Sequence, residues 1–457
     1  MLVRFSVSNF LSIKEHMTLK MAAGKARAHP SHVATIGKSH KLLKGCFIFG
    51  ANASGKSNFI KAMQFAKNTI LAETTPGKCF KKYFRIDPAY EKKLGTFQFE
   101  IYVNDQLYSY GFSVSYATAA IEEEWLLELD DNGEVVKMLF ERGRNDAGKM
   151  IVVSGMTFKG VEDRALFSAL SEDIDSDVMR HKTFLLDMSQ RRKDSKDYKI
   201  FRDVRNWFLR LIIIHTNSTF DSVNEWVRKT KSRSMLEQAL KFFKTGIESI
   251  GMKDKPFDTV FRHLPHEVIA TLREETISAI HKSVDATAKI DGYDVMLKDG
   301  ELIASTPSFD HGNKLDPFEY VDESDGTQRL FHLIPIFWAT RAGSVVVIDE
   351  LDRSLHTKAT HEFIRKFYEN AEGANSQLIA TTHDTNIFDL DLLRQDEIWL
   401  VEKTDAKAST LTPLSYYKPR HDKSHNAGRD YLIGRYGAVP LFDNLTLLDD
   451  EGAVSDE

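Results

Sequence analysis

The stretch Gly50-Ala-Asn-Ala-Ser-Gly55-Lys56-Ser57 follows directly on the apolar run Cys46–Phe49 and leads into residues 58–71, whose apolar positions recur at helical spacing. Strand, glycine loop and helix in that order form a phosphate-binding loop. The glycines let backbone N–H groups close round a phosphate, and the helix N-terminus adds its dipole. Lys56 then reaches the β- and γ-phosphates, and Ser57 offers a hydroxyl to Mg²⁺. Gly50, Asn52, Ser54, Gly55, Lys56, Ser57 and Asn58 are the candidate nucleotide-binding residues. Chance supplies the four defining positions in roughly one chain of this length in a hundred, before the flanking strand and helix are demanded.

A second element complements the first. Val345-Val346-Val347-Ile348 is an apolar strand ending in Asp349-Glu350, and ligands of open parallel sheets bind at such carboxyl ends. Asp349 is the candidate Mg²⁺ ligand, through water or beside Ser57. Glu350 is the candidate that polarises an attacking water. A strand end capped by solvated acids is the plainer reading, and the phosphate loop upstream decides against it.

The rest of the chain organises around these two elements. Residues 2–10 alternate with the period of a strand, and 96–140 show strand alternation with turns at Asn104-Asp105 and Asn132-Gly133, predicting an antiparallel sheet. Residues 24–45, basic and rich in His, read as a loop, either a phosphate- or nucleic-acid-facing basic lip or an ordinary solvated surface. Val204, Trp207, Phe208 and Leu211 fall at helical spacing, and 235–243 predicts another helix, without the sustained heptads of a coiled coil. Helices are expected near 327–341 and 356–370, and a strand at Gln377–Thr381. Lobes at 1–195 and 317–440 are expected to flank a mostly helical insertion at 196–316, followed by an acidic tail at 441–457.

Composition narrows the function classes. With 61 Lys and Arg against 66 Asp and Glu, the net charge of −5 gives no global attraction to nucleic acid or anionic lipid. Cys46 and Cys79 are too few for a disulfide framework or a four-ligand zinc site. No run approaches the length of a membrane span, so a reducing, cytoplasmic setting without a membrane partner is expected.

Ser324-Asp325-Gly326-Thr327-Gln328 resembles the signature loop of ABC-type ATPases, whose serine and glycine touch the γ-phosphate of a nucleotide held by another subunit. Leu351-Asp352 resembles that superfamily's D-loop, and His383, closing the strand Leu378–Thr382, resembles its γ-phosphate-sensing histidine. Asn9-Phe10-Leu11-Ser12 is similar to the opening strand of the SMC, RecF and Rad50-like branch. A narrower resemblance joins the loop through Asn58, Glu123-Glu124-Trp125-Leu126, the signature, Asp349–Asp352 with Leu355-His356, and Gly434-Arg-Tyr-Gly-Ala-Val-Pro440. It is to the AAA_15/AAA_21 ABC-like ATPases of bacterial anti-phage and abortive-infection systems, which include RloA, AbiL-type proteins and AriA of PARIS.

That resemblance implies an α/β ABC-type nucleotide-binding fold with an antiparallel β subdomain, ATP and Mg²⁺ as cofactors, and hydrolysis served by Glu350 and His383. It implies a homodimer or larger homo-oligomer, and a separately encoded effector of nuclease or TOPRIM type. Thr327 in place of a second signature glycine argues against a transporter subunit, and no TOPRIM-like segment follows residue 400. The glutamine that reports Mg²⁺ in such ATPases is placed at Gln190, because Thr183–Leu186 reads as a strand before it; a solvated glutamine fits equally. The run Gln190–Asp194 is a candidate nucleic-acid contact or a solvated face. His356 and His361 lack metal-pair spacing. The resulting expectation is an ATP-driven switch that gates an effector, and the alternative is a SMC/RecF-like repair ATPase acting on DNA itself.

Overall fold

Alternation along the N-terminal strands builds one sheet. The computed structural model describes residues 1–37, 40–71, 79–216, 223–283, 286–419 and 427–439, which fall into two compact units, residues 2–210 with 379 onward, and residues 211–378. The expected acidic tail lies outside the described residues.

In the first unit a seven-stranded antiparallel sheet runs in the order Met150–Val153, Val135–Arg144, Ile121–Leu129, Gln106–Val114, Gly95–Val103, Leu2–Ser8, Met17–Lys20. Phe97, Phe99 and Ile101 are wholly buried on one face, while Thr96, Gln98 and Glu100 between them are half-buried. Asn104 and Asp105 both take positive φ, 49° and 61°, as a tight two-residue hairpin requires. The aromatic face receives the helix Lys56–Leu71: Phe59 meets Phe5 at 5.2 Å and Phe65 meets Phe97 at 5.2 Å between ring centroids. The helix Lys199–Arg210 adds Phe208 against Phe99 at 5.1 Å.

Beside this sheet lie the parallel strands Gly45–Phe49 and Ile398–Lys403, the latter paired antiparallel with Ser409–Pro413. All five residues of Gly45–Phe49 are buried, as a strand covered on both faces must be.

Two local expectations are corrected here. Residues 24–45 are not all loop: Val33–Ile36 and His40–Leu43 pair as antiparallel strands, whose buried Ala34, Ile36, Leu42 and Leu43 are too few to stand out among basic neighbours. Thr183–Leu186 is not a strand: Phe184–Gln190 is a helix. Its N-terminus is satisfied by Glu124, whose carboxylate accepts the N–H groups of Phe184 at 2.6 Å and Leu185 at 2.9 Å. A short apolar run is compatible with either state, so a tertiary cap decided this one.

In the second unit Leu211–Ile214 pairs in parallel with Val345–Ile348, residue for residue. The antiparallel strands Ser249–Pro256, Glu301–Asp310, Tyr293–Lys298 and Thr287–Ile290 follow one another in a separate sheet, with the helix His266–Lys282 packed on it through Ile280. The stretch expected to be helical therefore carries a sheet as well as its helices. The compact units also divide the chain at 210/211 and 378/379, away from the expected boundaries at 195/196 and 316/317. The single helix expected near 327–341 is two, Asp325–Leu333 and Ile336–Arg341, because Pro335 has no N–H to continue the first. Among the described residues no helix is long and apolar enough to cross a membrane.

Candidate nucleotide-binding site

The phosphate loop is held from both sides by parts of the first unit remote in sequence. A Cβ at Gly55 would sit 2.1 Å from Ser409 Oγ and 2.8 Å from Ser12 Oγ, and the residue has φ +116°, so only glycine fits. At Gly50 a Cβ would meet the Val401 carbonyl oxygen at 2.4 Å. Ser409 Oγ lies 2.6 Å from the Ser54 carbonyl oxygen and 2.8 Å from Ser12 Oγ, and Asn58 Nδ2 donates to Ser12 Oγ at 2.8 Å. The loop is a preformed cradle.

The N-terminal Asn9–Ser12 segment earns its place through this bracing. Asn9 has φ +48°; its amide donates to the carbonyls of Tyr90 and Lys93 at 2.9 Å and accepts from Phe84 N–H at 2.9 Å. Phe10 is buried against Phe65 and Phe97. The turn so pinned delivers Ser12 to the loop.

Lys56 is buried, and its ammonium donates to the carbonyl oxygens of Gly50 at 2.7 Å and Ala51 at 3.1 Å and to Nδ1 of His383 at 3.4 Å. The structure thus brings together a lysine and a histidine that the sequence assigned to one phosphate. Ser54 Oγ is buried without a hydrogen-bond partner among the described residues, an orphan hydroxyl suited to a phosphate oxygen. Asn52 is exposed at the rim, and Ser57 and Asn58 are half-buried. A cradle closed to Cβ atoms, an ammonium aimed into it and an orphan hydroxyl together fit a nucleotide phosphate.

Next to the loop is a cavity of about 470 Å³ lined by residues 51–54, Val401–Lys403 and Gly434, Gly437, Ala438 and Val439. The Ala438 N–H donates to the Glu402 carboxylate, and Tyr431 Oη donates to the Ala438 carbonyl at 3.0 Å. Of these walls, Val401–Lys403 had no role in the sequence reading, and the segment from Gly434 appeared there only as part of a resemblance. The signal available was its glycine spacing.

The second unit holds the candidate acidic residues. Asp349 is 3% exposed, and Thr216 Oγ1 lies 3.5 Å from its Oδ2. Glu350 is half-buried and takes φ +52°, a left-handed backbone that costs a non-glycine residue energy. Asp352 is half-buried in the turn that follows, where the Leu355 N–H donates to its carbonyl. Asp349 is a hard oxygen donor of the kind Mg²⁺ takes, and so is the Ser57 hydroxyl of the first unit.

Ser324 is exposed and caps the helix Asp325–Leu333, its Oγ accepting the Thr327 N–H at 3.2 Å. Asp325 is exposed, Gly326 half-buried and Thr327 buried. The Gln328 side chain turns back to donate to the carbonyls of Tyr320 at 3.1 Å and Glu323 at 2.9 Å, so it shapes the turn.

Gln190 needs correcting. It is the exposed last residue of the helix Phe184–Gln190, and the strand that justified its metal-sensing assignment does not exist. The neighbouring charges are largely spoken for: Arg191 pairs with Asp187, and Arg192 with Glu162 and Asp163.

The fold is α/β, a phosphate-loop nucleotide-binding domain with an antiparallel β subdomain and an insertion. A family model for AAA_21, described as "AAA domain, putative AbiEii toxin, Type IV TA system", matches residues 46–155 and 169–389. Among solved structures the chain is similar to an SMC head bound to the C-terminal winged-helix domain of ScpA, with 14% identity, 90% of this chain and 96% of that one covered, and a TM-score of 0.42. It is also similar to the SMC head domain from Thermotoga maritima, with 12% identity, 90% and 98% coverage and a TM-score of 0.36. No curated protein matches it.

Proposed function

The chain belongs to the AAA_21 family of ATPase domains, and from that premise we propose that it is an ATP-hydrolysing molecular switch of anti-phage defence. Its ATP-dependent self-association gates a separately encoded effector, a nuclease or TOPRIM-like protein. The observation that carries the ATP part is the braced loop with Lys56 Nζ at 2.7 Å from the Gly50 carbonyl and 3.4 Å from His383 Nδ1.

In this reading the loop N–H groups and Lys56 bind the β- and γ-phosphates. Ser57 and Asp349 would hold Mg²⁺, which when bound neutralises phosphate charge. Glu350 orients water and His383 hydrogen-bonds the γ-phosphate. Ser324 through Gln328 serve the nucleotide of a neighbouring subunit, and Asp352 lies at the same junction. Support for that trans role is the exposed, capped Ser324 at a helix N-terminus.

Two measurements test the proposal. The Ser324→Arg protein should bind Mg-ATP and fail to release phosphate; wild-type turnover would rule out the composite site. The Glu350→Gln protein, weighed in its native state with Mg-ATP, should form a homo-oligomer and capture the product of the adjacent gene. Failure to capture it would remove the effector.

One observation favours a second reading, direct action on nucleic acid. A cleft of about 620 Å³ is lined by Lys25, Arg27 and Lys41 together with Thr35 and Arg394, and by no acidic residue. Arg394 is neutralised by Asp396 at 2.8 Å, while the other three cations are exposed. Duplex binding that weakens steeply with salt, and is lost on reversing those three charges, would favour this alternative.

A further inference from the structure

Arg329 stands five residues past Ser324, in the same helix, and no sequence motif singled it out. It is 8% exposed, and its Nη2 donates to two successive main-chain carbonyls, Asp349 at 3.2 Å and Glu350 at 3.1 Å. Those are the carbonyls of the carboxylate pair itself. A second contact joins the same two segments: a Cβ on Gly326 would lie 2.8 Å from the Ser354 carbonyl oxygen. Glu350 and Ser354 both have left-handed backbones, φ +52° and +59°, so the turn between them is a strained one that needs outside support.

We propose that Arg329 is a positioning residue for Glu350 of its own chain, holding the strained turn so that the carboxylate is presented in one place. A guanidinium suits this task because the two N–H bonds of Nη2 are fixed in the guanidinium plane and can each take one carbonyl. Its charge also lies near Asp349, Glu350 and Asp352, with Arg353 close by as well. The inference rests on the ATPase reading above. Within that reading it means that the helix presenting Ser324 to one nucleotide is latched to carboxylates that serve another.

The test is turnover by Arg329→Gln, alone and mixed with Ser324→Arg. Alone, Arg329→Gln should keep its KM for ATP within about threefold and lose about tenfold or more in kcat, the pattern of an interaction needed in the transition state rather than for binding. Arg329→Lys, which keeps the charge but not the fixed direction of the guanidinium N–H groups, should fall between it and wild type. In an equimolar mixture of freely exchanging subunits, sites built from the loop and carboxylates of Ser324→Arg and the signature of Arg329→Gln are intact. The mixture should recover about a quarter of wild-type turnover, since that combination arises at one interface in four.

No recovery, with the Lys variant folded and equally unable to complement, would place Arg329 in support of its own signature turn and overturn the proposal. Wild-type kcat in Arg329→Gln would overturn it too. Absence of turnover in the wild-type protein would instead sink the ATPase reading, a result separable from either.

Discussion

The ammonium of Lys56 lies 3.4 Å from Nδ1 of His383, across 327 residues of chain. An ammonium has only donors, so the ring must accept at Nδ1 and carry any proton at Nε2. A residue that the loop motif defines and a residue that ends a distant strand thus share one hydrogen bond, and the two should separate experimentally into binding and turnover. Lys56→Ala should weaken ATP binding by at least about tenfold, the loss of one charge-assisted contact. His383→Ala should bind normally and turn over about a hundredfold slower, as when one transition-state donor is removed. Equilibrium binding of a fluorescent ATP analogue alongside phosphate release distinguishes them.

Glu350→Gln keeps the shape of the turn and removes the base. Phosphate release should fall by about 10²- to 10⁴-fold, while ATP stays bound. Native mass spectrometry after mixing with ATP should then find an oligomer that outlasts the wild-type one.

Gly55→Ala forces a Cβ to within 2.1 Å of Ser409 Oγ. The expected cost is about 1–3 kcal/mol of stability, with nucleotide binding lost because the loop must open to relieve the clash. Ser409→Ala removes only the brace and should cost about 1 kcal/mol. Denaturant unfolding of both proteins checks the order.

His332, buried in the helix Asp325–Leu333, accepts or donates at 2.8 Å with Tyr320 Oη. Burial first, and the Arg329 charge second, lower its pKa from 6.5 to about 4. The fold therefore favours the neutral ring: its contribution is full above pH 6.5 and is lost as pH falls toward 4. Between pH 7 and pH 5 the protein should lose about 2 kcal/mol from this group. Urea unfolding at both pH values should show that slope, and His332→Gln should flatten it.

Gln190→Ala should leave the Mg²⁺ dependence of turnover unchanged, because the side chain is exposed at a helix end. A shift in the Mg²⁺ midpoint of phosphate release would contradict its placement.

Legibility followed the range of the interaction that decides each element. The loop at 50–57, the strand Val345–Ile348 and the helix Thr357–Asn370 are written in local pattern, glycine spacing and apolar period, and could be read directly. Phe184–Gln190 was misread because its state depends on a cap from Glu124, 60 residues away in sequence. The antiparallel pair Val33–Ile36 and His40–Leu43 does not show in the sequence because each strand has only four residues. Among the candidate residues, Lys56, Ser57, Asp349 and Glu350 announce themselves by motif, and the Ser324 turn by a family resemblance. Ser12, Ser409, Glu402 and Arg329 do not, since a serine bracing a glycine or an arginine holding carbonyls has no sequence signature of its own.

The clasp on the phosphate loop has a consequence for biogenesis. Ser12 and Ser409 are 397 residues apart, and the strand beside Gly45–Phe49 is not made until residues Ile398–Lys403. The loop leaves the ribosome early, yet its walls are among the last parts translated. At ordinary elongation rates of about 5–20 residues per second, tens of seconds pass during which the nascent chain carries the motif without its cradle. A nascent chain that stops short of Ser409 therefore carries the glycine motif without the brace that shapes it.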